Sequence, residues 1–215
     1  MVSTTALISI GTIIFSFMIG ILFYYLIVSD TKEIKKQRID HALSYLINFV
    51  LFIWAGKIIL HINRFISDPF AVLAYPSDAN AFYIATLLLS GTIAYQVMRG
   101  KLDGVSLLNT FIPIFISALF TYEFLQWTVH GENQAIIQLT CSAVLLVIYF
   151  LLLEKMNVTK SNLLTIMLWI MVQAFIAIRN TYSIVFGYSI SIYFFLILFI
   201  LVFIYFVYSI RSRSI

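Results

Sequence analysis

Charged residues make up only 10% of the 215 positions, which excludes an ordinary soluble domain, where about a quarter of residues carry charge. Residues 1–29 contain no Asp, Glu, Lys or Arg at all. A secretory signal would open on a basic segment and close on a small-residue cleavage site. With neither in view, the first apolar run reads as a retained helix. A single cysteine, Cys141, rules out an intramolecular disulfide. Three histidines and that cysteine fall with no ligand spacing, so no metal site is expected. There is no phosphate-cradling glycine loop and no Gly-x-Ser-x-Gly, and no cofactor is expected. Polar loops reach only about a dozen residues, too short for an extramembrane domain.

Apolar residues fill the space that charge leaves. They make up 62% of the chain, and the mean hydropathy is +1.03. Both values belong to an integral membrane protein. Seven apolar runs are each long enough to span a hydrocarbon core of about 30 Å. They cover about 5–29, 41–62, 79–98, 105–127, 134–153, 161–178 and 188–208. The fold class is therefore all-α, a single seven-helix transmembrane domain over 1–215. Asp68-Pro69 and Tyr75-Pro76-Ser77-Asp78 mark turns in the loop before the third span. Pro113 is expected to kink the fourth.

Ten of the 13 Lys and Arg residues fall in the first, third and fifth connectors and the C-terminal tail, and two in the remaining loops. Lys57, inside the second span, is the thirteenth. Cytoplasmic loops collect positive charge, so the N-terminus is expected outside and the C-terminus in the cytoplasm. The same bias accounts for the net charge of +4 without a nucleic-acid partner.

Lys57 lies about five residues inside the second span, roughly 8 Å below its end at ~1.5 Å per residue. Trp54, Lys57, His61 and Arg64 are spaced for one helical face. Glu123 and Gln126 lie near the outer end of the fourth span, and Arg179 near that of the sixth. His130 stands slightly further out. Three helices thus bring basic, acidic and amide groups to one level. Charge at that depth is costly alone, and a Lys57–Glu123 pair would relieve both penalties. A purely structural ion pair with snorkelling arginines competes with a headgroup-binding cavity on these residues. Asn48, Gln138 and Gln173 lie inside spans as interhelical hydrogen-bond formers. Ser16-x-x-x-Gly20 is a small-x-x-x-small pair suited to close helix packing.

Several segments, in order and spacing, resemble the bacterial prolipoprotein diacylglyceryl transferases. Ala55-Gly56-Lys57-Ile58-Ile59 is similar to their Gly-Gly/Ala-Arg-x-Gly motif, with lysine for arginine. Asn80-Ala81-Phe82-Tyr83 resembles their Met-Ser-Phe-His. Leu108–Pro113 resembles the stretch entering the family's fourth helix. Tyr122-Glu123-Phe124-Leu125-Gln126 falls where the family reads Arg-x-Gly-Asn-Phe-Ile-Asn-Gly. Gln173-Ala174-Phe175, ahead of Arg179, resembles the Tyr-Gly-x-x-Arg helix. The resemblance implies seven helices, an N-terminus outside, a bacterial cytoplasmic membrane, and a cavity for phosphatidylglycerol or a lipoprotein precursor with its signal peptide.

The departures fall on the chemistry. Tyr83 stands for the motif histidine, Phe120 or a neighbour for an arginine, and Arg179 lies a turn beyond the family's position. A tyrosine near pKa 10 is a poor base for a thiol. The leading expectation is a degenerate relative, not an active enzyme, that binds a phospholipid or lipoprotein-type partner at the outer leaflet. Lys57, His61, Arg64, Tyr83, Glu123, Gln126 and Arg179 are its candidate polar residues. The alternatives are an active diacylglyceryl transferase with relocated groups and a small membrane transporter.

Overall fold

The computed structural model describes residues 4–69, 72, 79–129, 131 and 135–211. The expected turn at Tyr75–Asp78, together with His130, lies outside the described residues. In chain order the elements are α1 (Thr4–Ile27), α2 (Lys32–Leu60), α3 (Ile62–Ser67), α4 (Ala79–Met98), α5 (Gly104–Thr128), α6 (Ala135–Lys155), α7 (Val158–Asn180), β1 (Tyr182–Val185), β2 (Tyr188–Ser191) and α8 (Ile192–Arg211). Six of these, α1, α2, α4, α5, α6 and α7, are long and apolar enough to cross a membrane. Within α8, Ile192–Val207 is a further apolar stretch.

Helix bounds follow capping and propensity, not only hydropathy. The second helix starts at Lys32, well before the expected 41, because Lys32-Glu33-Ile34-Lys35-Lys36-Gln37 is made of good helix formers. Its 29 residues reach about 43 Å, longer than a hydrocarbon core. Asp103 caps α5, its carboxylate accepting from the N–H groups of Val105 (3.0 Å) and Ser106 (3.3 Å). α5 continues as one helix through Pro113.

α5 is the central helix. It packs against α1, α2, α6 and α7, while α2 also packs against α4, and α7 against α8. At the α1–α5 crossing, Ser16 is fully buried and a Cβ on Gly20 would lie 2.4 Å from the Ile114 carbonyl oxygen. The small pair in the first span therefore does set a close helix contact. At the end carrying the α1–α2 turn, Asn162 Nδ2 donates to Asn109 Oδ1 (3.0 Å), and Asn109 Nδ2 donates to Thr159 Oγ1 (3.0 Å).

One element departs from the all-helical expectation. Residues 188–191, expected to begin the last span, form β2 instead, and α8 starts at Ile192. β1 and β2 form an antiparallel hairpin with Val185 opposite Tyr188 and Tyr182 opposite Ser191. The two-residue turn, Phe186-Gly187, has positive φ at both positions (48° and 84°), the signature of a type I′ turn. The hairpin folds back from the end of α7 into the bundle. The Phe186 ring stacks on Phe17 of α1 (5.3 Å between centroids) and meets Tyr122 (5.1 Å) and Phe115 (5.8 Å) of α5. Tyr122 is six residues short of the end of α5, about 9 Å along the axis.

Candidate functional site: a hairpin and two buried charges

Non-helical backbone inside a membrane bundle survives only where its polar groups find partners in protein or water. In the observed register the Val185–Tyr188 pair faces inward across the ladder, so the N–H and C=O groups of the next pair, Ile184 and Ser189, point outward. Helix side chains meet these edges. On the β1 side, Gln138 Nε2 of α6 donates toward the Ile184 carbonyl (3.4 Å) and Ser183 Oγ (3.0 Å). On the β2 side, the Ser191 N–H donates to the Tyr83 hydroxyl of α4 (2.9 Å). Gln138 and Gln173 exchange amide hydrogen bonds (3.1 and 2.9 Å), and the Ser183 hydroxyl donates to Gln173 Oε1. All three residues are buried. The two glutamines are thus interhelical hydrogen-bond formers, and they also fasten the hairpin.

Phe186 is a bulky residue in the left-handed region, which costs about 1–2 kcal/mol. Its three ring contacts, at roughly 0.5–1.5 kcal/mol each, are enough to hold it there.

The two expected charges lie on helices whose neighbouring residues meet the hairpin. Glu123 is 4% exposed and follows Tyr122, whose ring packs on Phe186. Gln126, one turn further, donates to the Tyr122 hydroxyl (2.6 Å). Lys57 is 7% exposed and lies one turn beyond Ile53 on α2. Ile53 clusters with Ala81 and Ala85 of α4, and Tyr188 of β2 packs against that cluster. Gly56 beside Lys57 is needed for the approach, since a Cβ there would lie 3.0 Å from the Ala81 carbonyl oxygen. α2 therefore reaches the hairpin from the Tyr188 side and α5 from the Phe186-Gly187 side. Both helices carry a buried ionisable group, Lys57 on α2 and Glu123 on α5.

The other expected residues divide. Tyr83 reaches the site, but its hydroxyl holds backbone, and its ring stacks on Phe194 (5.3 Å). His61 ends α2 with non-helical backbone (φ −125°, ψ 38°), so the single face expected of Trp54, Lys57, His61 and Arg64 is interrupted before Arg64. His61 and Arg64 are exposed and line a shallow hollow with Leu60, Ile62 and Asn63. Arg179 is exposed and lies over the Phe175 ring (5.8 Å). These three side chains lie at the surface, and Lys57 and Glu123 are buried. Among the described residues, no three His, Cys, Asp or Glu side chains are grouped to hold a metal ion.

No known family model matches the chain, and no curated protein or solved structure is significantly similar to it.

Sequence reasoning missed the hairpin and with it Phe186, Gly187 and Tyr188. A faint signal existed: Tyr-Ser-Ile-Val and Tyr-Ser-Ile-Ser flank Phe-Gly, and serine is uncommon in the runs on either side.

Proposed function

We propose that the protein is a seven-span membrane protein whose hairpin end faces the outside of a bacterial cytoplasmic membrane and binds a phospholipid headgroup. The carrying observation is that Lys57 and Glu123 are both buried, on the two helices whose neighbouring residues meet the hairpin, while His61, Arg64 and Arg179 are exposed. Exposed arginines attract phosphate, and ionisable groups inside a membrane bundle are rare and mark functional sites even where they are paired. The ten-to-two division of Lys and Arg supports a cytoplasmic C-terminus, with α8 as the seventh span.

The resemblance to the diacylglyceryl transferases makes phosphatidylglycerol the first lipid to test and a lipoprotein precursor the first protein partner. Transfer itself is disfavoured. A thiol acceptor needs a base and cationic donors to the departing phosphate. The Tyr83 hydroxyl, at the histidine's place, is occupied by the Ser191 N–H.

The test is native mass spectrometry of the purified chain. Wild type should retain phosphatidylglycerol, and Lys57→Met should lose most of it. Retention unchanged in Lys57→Met, or no lipid on wild type, would remove the reading. Expression in cells depleted of their own transferase should yield no lipid-modified prolipoprotein, since losing a base or an oxyanion donor lowers rates by ~10²–10⁴-fold each. Modified product would establish an enzyme with relocated groups.

A further inference from the structure

A two-residue turn uses only the outer pair, Val185 and Tyr188, in the ladder. The N–H groups of Phe186 and Gly187 are therefore not used by the strands. At the depth of Tyr122, an N–H without a partner is costly. Gly187 is exposed although the tip is embedded among helices. A Cβ at Gly187 would meet one atom within 4 Å, the Tyr122 hydroxyl oxygen at 3.4 Å. Among the described residues, the tip is thus open to approach from one side.

We propose that this tip is the phosphate-receiving contact of the site. The N–H groups of Phe186 and Gly187 donate to a phosphate oxygen, the Tyr122 hydroxyl flanks it, and Lys57 supplies positive charge at the same level. Phe186 and Gly187, both at positive φ, are the central residues of a turn, and successive backbone N–H groups in a turn can form an anion-binding concavity. Glycine at 187 serves two purposes that can be separated. The turn requires φ +84°, and the ligand requires an uncovered backbone. Asparagine tolerates the first and blocks the second.

The inference rests on the phospholipid reading, and the experiment distinguishes the two. Phe186-Gly187 is the chain's one Phe-Gly pair. Labelling phenylalanine with ¹³C at the carbonyl and glycine with ¹⁵N therefore isolates the Gly187 amide in a single NMR signal. The full chain in micelles is titrated with dioctanoyl phosphatidylglycerol, with phosphate-free dioctanoylglycerol, and with glycerol 3-phosphate, binding being followed in parallel by calorimetry. The Gly187 proton should move downfield with phosphatidylglycerol and stay in place with dioctanoylglycerol. Gly187→Asn should keep the wild-type melting temperature within a few degrees and bind phosphatidylglycerol about tenfold or more weakly.

Phosphatidylglycerol binding without a Gly187 shift, or Gly187→Asn binding as wild type does, overturns the tip site and leaves lipid binding intact. A shift as large with glycerol 3-phosphate as with the lipid keeps the tip site and overturns the lipid reading. No binding of either phosphate compound overturns both. Should Gly187→Asn fail to fold, the wild-type amide shift decides alone.

Discussion

Replacing Gln173 by leucine tests whether the hairpin is held by the glutamine pair. Gln173 Oε1 accepts from Gln138 Nε2 (3.1 Å) and from the Ser183 hydroxyl, and Gln173 Nε2 donates to Gln138 Oε1 (2.9 Å). Leucine fills much the same volume, so the loss is polar. Gln138 Nε2 keeps Ser183 Oγ and the Ile184 carbonyl, which leaves Gln138 Oε1 and the Ser183 hydroxyl proton without their partners. Two deserted buried groups at about 1–3 kcal/mol each give an upper range. Three hydrogen bonds at the membrane average of about 0.6 kcal/mol give a lower one. The expected destabilisation is about 2–4 kcal/mol. Gln138→Leu should cost a similar amount. The double variant should cost less than the sum by about 1–2 kcal/mol, because replacing both partners removes the unmet demand. The assay is unfolding in mixed micelles by denaturing detergent, read by circular dichroism, with Cys introduced at Ser189 and labelled to follow release of the hairpin. If Gln173→Leu unfolds with wild type, or the two substitutions add fully, the hairpin is fastened by something else.

Other consequences can be measured with the same material. Lys57→Met or Glu123→Gln alone should destabilise by ~3–5 kcal/mol if the two compensate each other, and the double variant should regain part of it; strict additivity would remove the pairing. Gly20→Ala should cost about 1–3 kcal/mol, because its Cβ would lie 2.4 Å from the Ile114 carbonyl oxygen and α1 must shift off α5; an unchanged unfolding midpoint would contradict that crossing. Reporter fusions after Asp30 and at the C-terminus should report cytoplasm, and one after Ser67 the exterior; an external C-terminus would mean the number of spans is wrong.

The helices were legible for a local reason. Apolar length is a property of consecutive residues, so α4 runs over Ala79–Met98 as expected, and α5 and α6 differ from expectation by a residue or two. Hydropathy marks where a helix leaves the membrane, not where it stops. That is why the start of α2 was misplaced by nine residues, across a charged but helix-forming segment. Membership of the site was legible in part. Lys57 and Glu123 were identified by depth, which is local arithmetic, and both are buried. His61, Arg64 and Arg179 share that arithmetic but are exposed, because one or two turns along a helix separate an embedded side chain from a rim. The expectation that Tyr83 stands for a motif histidine gave no hint that its hydroxyl would hold Ser191.

By itself the sequence determined that the chain is built of long apolar helices suited to a membrane, where most of those helices begin and end to within a few residues, and which two ionisable residues inside them are buried. All three follow from how many apolar residues stand in a row. The conformation of 182–191 was decided by tertiary structure. Ten apolar and small residues there suit a helix end as well as two strands, and Phe-Gly is a poor advertisement for a type I′ turn. What selects the hairpin is non-local: Phe17, Phe115 and Tyr122 receive the tip ring, Gln138 and Gln173 hold Ser183, and Tyr83 meets the outer strand. Strand edges inside a membrane have no water to fall back on, so they form only where distant helices already offer donors and acceptors at the right height.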